Sequence, residues 1–281
     1  MTQPAKPHRS PSAMASYFRC GEAFRRLYIE KERPPPVVAM LKGTGVHRGA
    51  AVNFEQKIVS KLDLPVAQII AAAVDGFDQE IAKSGVTLSD EEKAIGKDIV
   101  IGEARDDVAR MAAAHAIAQA PDYQPVAVEK TVRIPVPRGT HDLVGVMDLV
   151  SEDELRRRTV ADFKTAKRRK RQTEAAESIQ LSFYAAAHQV EYGKPPDEVR
   201  LDILVQTSKG VQRQVLSETR DQKDFQVLAN QINVMQAGVE KGVFLPAIPG
   251  SWWCSSRFCS YHASCPYVNA ERIAAADDSG E

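Results

Sequence analysis

The sequence predicts an α/β (α+β) fold in which a helical subdomain precedes a central mixed sheet flanked by helices. Apolar residues recur every three or four positions up to about residue 120, which indicates helices. After Pro121 they recur at every second position in several segments, which indicates strands. The elements follow in the order helices, three strands, helix, two strands, helix, and this order is typical of a sheet domain with a helical region in front of it.

The first part of the chain contains the predicted helices, in segments 13–31, 43–60, 64–83 and 89–119. In the second segment Val46, Ala50 and Phe54 lie four residues apart and form one stripe of a helix. Three consecutive prolines, Pro34 to Pro36, separate the first two segments, because proline breaks a helix and extends the residue before it.

The second part contains the predicted strands, at 126–136, 141–150, 158–165, 198–206 and 211–217, with helices at 177–192 and 220–240. In the helix at 177–192, Ile179, Phe183 and Val190 form the expected buried stripe. Gln180 and Tyr184 lie four residues apart on another face. His188 shares that face and is expected at the surface or beside the functional residues.

Five regions are predicted from these patterns. They are a flexible arm (1–11), an N-terminal helical region with Cys20 and His47 (12–120), a sheet core (121–245), a cysteine-rich tail (246–268) and a disordered tail (269–281).

Composition and charge exclude several classes of protein. With 43% hydrophobic and 26% charged residues in 281, the chain is neither disordered, collagen-like nor a coiled coil. Lys+Arg and Asp+Glu both number 37, which excludes a globally basic nucleic-acid binder but allows a local basic patch. No apolar stretch approaches ~18 residues and the first residues lack a secretory signal, so we expect a cytoplasmic protein without a membrane partner.

The most informative residues are two acids and a lysine on neighbouring predicted strands. If 142–150 and 158–165 pair antiparallel, Asp162 and Lys164 share a face and Asp148 meets them from the next strand. Two carboxylates side by side repel each other, and Mg²⁺ or Mn²⁺ would remove that repulsion. Lys164 could then position water or stabilise phosphoryl charge, as in metal-assisted phosphodiester hydrolysis. From these residues alone, a hairpin with charges on its solvent face is the alternative.

These residues belong to a longer series that resembles the PD-(D/E)xK nuclease superfamily, and within it the RecB-like branch. The series has the family's order and covers about Ser12 to Tyr267. It comprises Gly43-Thr-Gly-Val-His47 in a helix, Glu129 in a strand, Gly145-Val-Met-Asp148, Asp162-Phe163-Lys164-Thr165 and Gln180-Leu-Ser-Phe-Tyr184.

The resemblance implies a restriction-endonuclease-like fold and a role for each residue. The Mg²⁺ or Mn²⁺ ligands would be His47, Asp148, Asp162 and the Phe163 backbone carbonyl. Lys164 would be the catalytic lysine, and Gln180 and Tyr184 would contact DNA or support the site. Glu129 would be an ordinary strand charge or a carboxylate that supports the ligands.

Basic residues flank Asp162 and Lys164 on both sides. They are Arg156, Arg157, Arg158, Lys167, Arg168, Arg169, Lys170 and Arg171. A run of charges is usually a solvated surface, but beside a phosphodiesterase centre it favours contacts with DNA phosphates.

The four cysteines are Cys20, Cys254, Cys259 and Cys265. A reducing compartment disfavours disulfides, and an all-sulfur site suits a [4Fe–4S] cluster or Zn²⁺. Four buried free thiols are the alternative. The arrangement resembles the iron–sulfur subgroup of RecB-like nucleases, which includes CRISPR-associated RecB-like exonucleases and the AddB nuclease domain. That resemblance implies a [4Fe–4S] cluster that clamps the tail onto the N-terminal helix, although the first interval is C-x4-C where the family more often has C-x2-C.

The resemblance implies a metal-dependent DNA exonuclease that acts on single-stranded DNA or DNA ends. The expected pathways are recombination, repair, phage DNA metabolism or CRISPR spacer processing. No G-x-x-x-x-G-K-[ST] motif is present, so unwinding would need a helicase, recombination or CRISPR adaptation partner. The alternatives are a non-catalytic DNA-binding accessory subunit and an endonuclease.

Overall fold

The computed structural model describes residues 6–137, 139–255 and 258–268. The predicted disordered tail (269–281) and the first five residues of the predicted arm lie outside these ranges. The chain divides into two compact units: residues 1–11 with 35–231, and residues 12–34 with 232–281. The five regions predicted from the sequence follow other boundaries and stay a prediction.

Helices make up most of the first part of the described chain, and most strands follow after residue 124. In chain order they are β1 (His8–Arg9), α1 (Pro11–Arg19), α2 (Gly21–Phe24), α3 (Val38–Ser60), α4 (Val66–Ser84), α5 (Asp90–Ile95), α6 (Lys97–Ala114), β2 (Pro125–Ile134), β3 (Asp142–Glu152), β4 (Arg158–Ala166), α7 (Ile179–Tyr192), β5 (Glu198–Thr207), β6 (Gly210–Glu218) and α8 (Gln222–Glu240). Short π-helical turns extend α2 over Arg25–Ile29 and α6 over His115–Gln119.

The first unit is built on a mixed sheet. β1, β3, β4, β5 and β6 are neighbours in that order, and β2 pairs with β3. β4 and β5 are parallel, and α7 is the crossover that a parallel pair requires. β2–β3, β3–β4 and β5–β6 are antiparallel. This central mixed sheet flanked by helices confirms the predicted fold class.

β3 and β4 pair over only part of their length. The antiparallel ladder runs from Glu152–Arg158 to Leu149–Ala161 and stops there. Asp148 and Asp162 are the next residues on each strand, so the two acids lie where the strands cease to pair. The backbone groups of the following residue, Phe163, are therefore free of the ladder with β3 and available to side chains.

Helices α3, α4 and α6 pack together through a shared apolar core. Gly45 allows α3 to approach α4 closely, since a Cβ atom there would lie 2.8 Å from the Ala73 carbonyl oxygen and 2.9 Å from the Phe77 Cβ. His47 follows two residues later on α3, so this close packing fixes the helix that carries it.

Helix α7 begins at Ser178, whose hydroxyl accepts a hydrogen bond from the Leu181 N–H at 3.2 Å. It packs on β3 at Gly145, where a Cβ atom would lie 2.6 Å from the Phe183 ring. The expected buried stripe of this helix was wrong at one end, because Val190 is 57% exposed.

The second unit joins the N-terminal helices to the cysteine-rich tail. Tyr17 donates its hydroxyl hydrogen to the Val243 carbonyl at 3.0 Å, and the Phe24 ring stacks on Phe244 at 6.1 Å. Arg26 donates to both the hydroxyl and the carbonyl of Ser264, at 2.6 and 2.8 Å. These contacts hold the tail on α1 and α2 through protein groups alone.

Two sequence predictions about local structure need correction. His8 and Arg9, expected in a flexible arm, form a short strand parallel to Asp142 and Leu143 of β3. The helix expected over 89–119 is broken at Gly96, where a φ of 105° favours glycine.

None of the helices in the described part of the chain combines the length and the apolar character that a membrane span requires.

Candidate active site

The backbone of Phe163 is the centre of the candidate site. Its N–H donates to Asp148 Oδ2 at 2.9 Å, and its carbonyl oxygen lies 2.8 Å from His47 Nε2. The other ring nitrogen of His47 lies 3.5 Å from Asp148 Oδ2. Because the β3–β4 ladder has already ended, a side chain from β3 and one from α3 take the hydrogen bonds that strand pairing would otherwise make.

Glu129 of β2 completes a group of possible metal ligands with His47 and Asp148. In the described part of the chain, ligand atoms of these three residues lie within 4.8 Å of one another. Glu129 has a φ of 45°, a conformation that a non-glycine residue adopts at a cost and often at functional sites. Partial burial and then the charge of Asp148 raise the pKa of Glu129. The sequence left Glu129 open between a surface charge and a supporting carboxylate, and the structure places it among the ligand atoms.

Asp162 and Lys164 form an ion pair at the floor of the site. The Asp162 side chain is fully buried, and Lys164 Nζ donates to its Oδ1 at 3.0 Å. Oδ2 lies 2.8 Å from the same nitrogen, but no aligned hydrogen-bond donor reaches it. Burial raises the pKa of Asp162 to about 6, with the Lys164 charge opposing and the Asp148 charge adding to that shift. Asp162 is not part of the three-residue group of ligand atoms, although the sequence predicted it as a ligand.

Gln180 and Tyr184 of α7 contact the lysine side of the site. Gln180 Oε1 accepts a hydrogen bond from Lys164 Nζ at 3.3 Å, and Gln180 Nε2 donates to the Tyr184 hydroxyl at 2.6 Å. Tyr184 is buried, and burial followed by the charges of Asp162 and Asp148 raises the pKa of its hydroxyl. The two residues thus hold the lysine from the α7 side.

The donor set suits a hard divalent cation. Carboxylate oxygens of Glu129 and Asp148 and a nitrogen of His47 lie within 4.8 Å of one another, and the Phe163 carbonyl oxygen lies 2.8 Å from His47 Nε2. Hard divalent cations prefer such oxygen ligands. The buried Asp162 carboxylate already has a counter-charge, because the Lys164 ammonium lies 2.8 Å from its Oδ2. The side chains of His47 and Lys164 are 30% and 41% exposed, which leaves the site open to a substrate on that side.

The eight predicted DNA-contacting residues fall at opposite ends of β4. Arg156 and Arg157 precede the strand and Arg158 is its first residue. They form ion pairs with Glu152 and Asp153 at 2.7 to 2.9 Å.

The other five basic residues follow the strand directly after the site. Lys170 and Arg171 pair with Glu174 and Glu177. Lys167, Arg168 and Arg169 are exposed and form no ion pair with any described residue. These three unpaired cations lie closest in sequence to Lys164.

A buried polar chain behind the site escaped the sequence analysis. His115 donates from Nδ1 to Gln119 Oε1 at 2.9 Å, because Gln119 uses its amide nitrogen to donate to Asp202 Oδ1 at 2.7 Å. Tyr123 donates to Asp202 Oδ2 at 2.6 Å. Burial lowers the pKa of His115 to about 4, so the ring is neutral. A pattern of apolar spacing on α6 gives no signal for such a histidine.

Two of these buried polar residues, His115 and Tyr123, form part of a cage around the Phe163 side chain. The rings of Phe54, His115 and Tyr123 surround Phe163 at centroid distances of 5.6, 5.6 and 5.7 Å. The cage fixes the side chain of the residue whose backbone carries the site.

His188, expected at the surface or beside the site, is instead fully buried and its Nδ1 bonds the Lys194 carbonyl at 2.8 Å.

The four cysteines lie together in the second unit and form no disulfide. Burial raises the pKa of Cys259, and the charges of Cys20, Cys254 and Cys265 add to that effect. Burial also raises the pKa of Cys254, with contributions from Cys20 and Cys265. All four thiols are thus close enough to interact electrostatically, and a cluster bound by them stays a prediction.

Comparisons with known proteins show which family the chain belongs to. The chain resembles the crystal structure of a "putative exonuclease" from Eubacterium rectale, with 10% identity over 92% of this chain and 93% of the other, and a TM-score of 0.49. It also resembles the crystal structure of SSO0001, with 14% identity over 90% and 96% of the two chains and a TM-score of 0.37. No curated protein sequence matches the chain. The model of the PD-(D/E)XK nuclease superfamily matches residues 8–266, and the chain therefore belongs to that superfamily.

Proposed function

We propose that this nuclease is a metal-dependent DNA exonuclease that hydrolyses phosphodiester bonds on single-stranded DNA or at DNA ends. It would act in the cytoplasm, in recombination, repair, phage DNA metabolism or CRISPR spacer processing, and a helicase, recombination or adaptation partner would supply unwound strands. The observation that carries the proposal is the close group of His47, Glu129 and Asp148. Two of its members, His47 and Asp148, also bond the Phe163 peptide, beside Asp162 and Lys164.

The residues divide the chemistry between them. His47, Glu129, Asp148, Asp162 and the Phe163 carbonyl would hold Mg²⁺ or Mn²⁺. When bound there, the ion supplies a more acidic water and a counter-charge for the phosphoryl oxygens. Lys164 carries its ammonium beside these ligands and stabilises negative charge on the reacting phosphate. Gln180, itself held by Tyr184, keeps the lysine in place.

The DNA strand would approach over the unpaired cations after β4. Lys167, Arg168 and Arg169 are exposed and without acidic partners, so they can neutralise phosphates at little cost. Arg156, Arg157 and Arg158 would have to leave Glu152 and Asp153 to do the same. We therefore assign the main phosphate contacts to the first set.

The four cysteines would bind a [4Fe–4S] cluster. What supports this proposal is that the charges of Cys20, Cys254 and Cys265 act on Cys259, so the four thiols lie within electrostatic range of one another. Zn²⁺ held by the same four thiolates is the alternative. The cluster would strengthen the attachment of the tail to α1 and α2 that protein contacts already make.

A digestion experiment tests the exonuclease proposal. Linear single-stranded, linear duplex and supercoiled circular DNA are incubated anaerobically with Mg²⁺ or Mn²⁺, with EDTA and Lys164→Met as controls. We expect linear DNA to be lost from its ends and circular DNA to persist. Opening of the circle would show an endonuclease. DNA that is bound but intact under all conditions would favour the non-catalytic accessory subunit.

A further inference from the structure

The sequence from 241 to 268, of which the structure describes 241–255 and 258–268, has an unusual composition. It holds six aromatic residues in 28, whereas aromatics make up 6% of the whole chain, and both tryptophans of the protein lie in it. It contains no Asp or Glu, but it does contain Lys241, Arg257 and His262. Aromatic side chains without neighbouring carboxylates favour a polyanion that carries flat rings.

Some of these aromatic residues serve the fold of the second unit. Phe244 packs against Tyr17 and Phe24. Tyr261 donates its hydroxyl hydrogen to the Glu32 carbonyl at 2.5 Å, and the Arg26 guanidinium lies 5.5 Å from its ring centre. The fold therefore accounts for these two aromatic residues.

Three of the remaining four aromatic residues are exposed, and the fourth, Trp253, is partly buried. Trp252 is 66% exposed, Tyr267 59% and Phe258 57%. The Trp252 ring meets Phe258 at 4.9 Å and Trp253 at 5.6 Å, each nearly edge to face, and it remains largely exposed despite both contacts. An exposed tryptophan of this kind contributes little to folding, because burial of its ring is what would stabilise the protein.

We propose that Trp252, Phe258 and Tyr267 form a stacking surface for the bases of single-stranded DNA. This inference rests on the proposed function, because a nuclease must hold the strand that it cuts. Stacking of a base on an aromatic side chain contributes about 1–3 kcal/mol and tolerates any sequence. The segment has no carboxylate of its own that would repel the phosphates. Duplex DNA hides its base faces and would not bind here.

The position of both tryptophans makes the test direct. Tryptophan fluorescence reports on this segment alone, and EDTA removes cleavage from the measurement. We expect an oligo(dT) strand to quench the fluorescence saturably. An oligomer of equal length without bases, and a duplex, should quench it little. Equal quenching by the oligomer without bases would overturn the proposal.

Two matched variants sharpen the result. Trp252→Ala should weaken binding of a labelled oligo(dT) strand about ten-fold or more, as measured by anisotropy, which corresponds to about 1.4 kcal/mol. Trp253→Phe leaves the exposed ring of Trp252 in place and should bind as the wild type does, because the Trp253 indole nitrogen is buried. Circular dichroism and melting temperature show whether each variant is folded.

The outcomes separate this inference from the proposed function. If Trp252→Ala is folded and binds single-stranded DNA normally, the stacking surface does not exist, whatever the nuclease activity. If Trp252→Ala binds single-stranded DNA normally but changes the self-association of the protein or its binding to another protein, the exposed rings form a protein-docking surface. That result would overturn the proposal. If the strand binds at this segment but no DNA is ever cut, the stacking inference stands and the exonuclease proposal fails.

Discussion

At the scale of single residues, the site depends on the backbone of Phe163 more than on its side chain. The Phe163 N–H is hydrogen-bonded to Asp148, and the Phe163 carbonyl oxygen is hydrogen-bonded to His47. The rings of Phe54, His115 and Tyr123 hold the Phe163 ring. The cage in turn rests on the hydrogen bonds of Asp202. We expect His115 to act as a positioning residue, since it contacts the Phe163 ring and no candidate ligand atom.

A pH experiment tests the state of His115. Its pKa is lowered from 6.5 to about 4, so the unfolded chain binds a proton that the folded protein does not. Stability is then lost as pH falls from 6.5 towards 4, on the order of 3 kcal/mol in total. As pH falls over this range, we expect the unfolding free energy of the wild type to decrease more than that of His115→Phe. Parallel stability curves for the two proteins would contradict a buried neutral histidine.

At the scale of elements, two close approaches bring the site together. Gly45 lets α3 pack on α4, and Gly145 lets α7 pack on β3. α3 carries His47 and α7 carries Gln180. The end of the β3–β4 ladder at Leu149–Ala161 then opens the space in which the acids meet.

A pair of glycine variants in α3 tests the first approach. Gly45→Ala should cost about 1–3 kcal/mol of unfolding free energy, because the methyl group meets the Ala73 carbonyl at 2.8 Å. Gly43→Ala is the matched control two residues away, where the nearest atom lies at 3.7 Å. It should stabilise the helix by up to about 1 kcal/mol. Equal effects of the two changes in urea unfolding would show that close packing of α3 on α4 is not needed.

Most elements of the fold were predictable from periodicity, and part of the site was not. Alternation and helical spacing depend on which face is buried, so they located β3, β4 and α7. Glu129 could not be assigned, since its role comes from a strained φ and from pairing with β3 that single-strand patterns do not contain. His115 and Asp202 were missed because buried polar residues have no periodic signal and are recognised only by their partners.

At the scale of the whole chain, the second unit joins residues that are more than 200 positions apart in sequence. Arg26 binds Ser264, and Tyr261 binds the Glu32 carbonyl. The four thiols lie in the same unit. Burial, together with the charges of the other thiols, raises the pKa of Cys254 and Cys259, and a bound cluster would offset that cost of ionisation. The proposed cluster would add a second source of stability to these protein contacts, and we expect it to be the larger one.

Removal of one thiol tests that expectation. Cys259→Ala should abolish the visible absorption, iron and sulfide of the purified protein and lower its melting temperature by about 5 °C or more. Ser260→Ala, which alters the exposed neighbour, should change neither. A wild-type protein that is colourless and free of iron, yet fully stable and active, would exclude the cluster.

The central claim is that the space beside the Phe163 peptide binds a divalent cation, and a Mn²⁺ titration tests it most directly. Calorimetry would compare wild type, Asp148→Asn and, as control, Asp153→Asn, which alters an acid already paired with Arg157. We predict that wild type and Asp153→Asn bind Mn²⁺ alike, and that folded Asp148→Asn binds it at least about ten-fold more weakly. Unchanged Mn²⁺ affinity in folded Asp148→Asn would contradict the assignment of the metal centre.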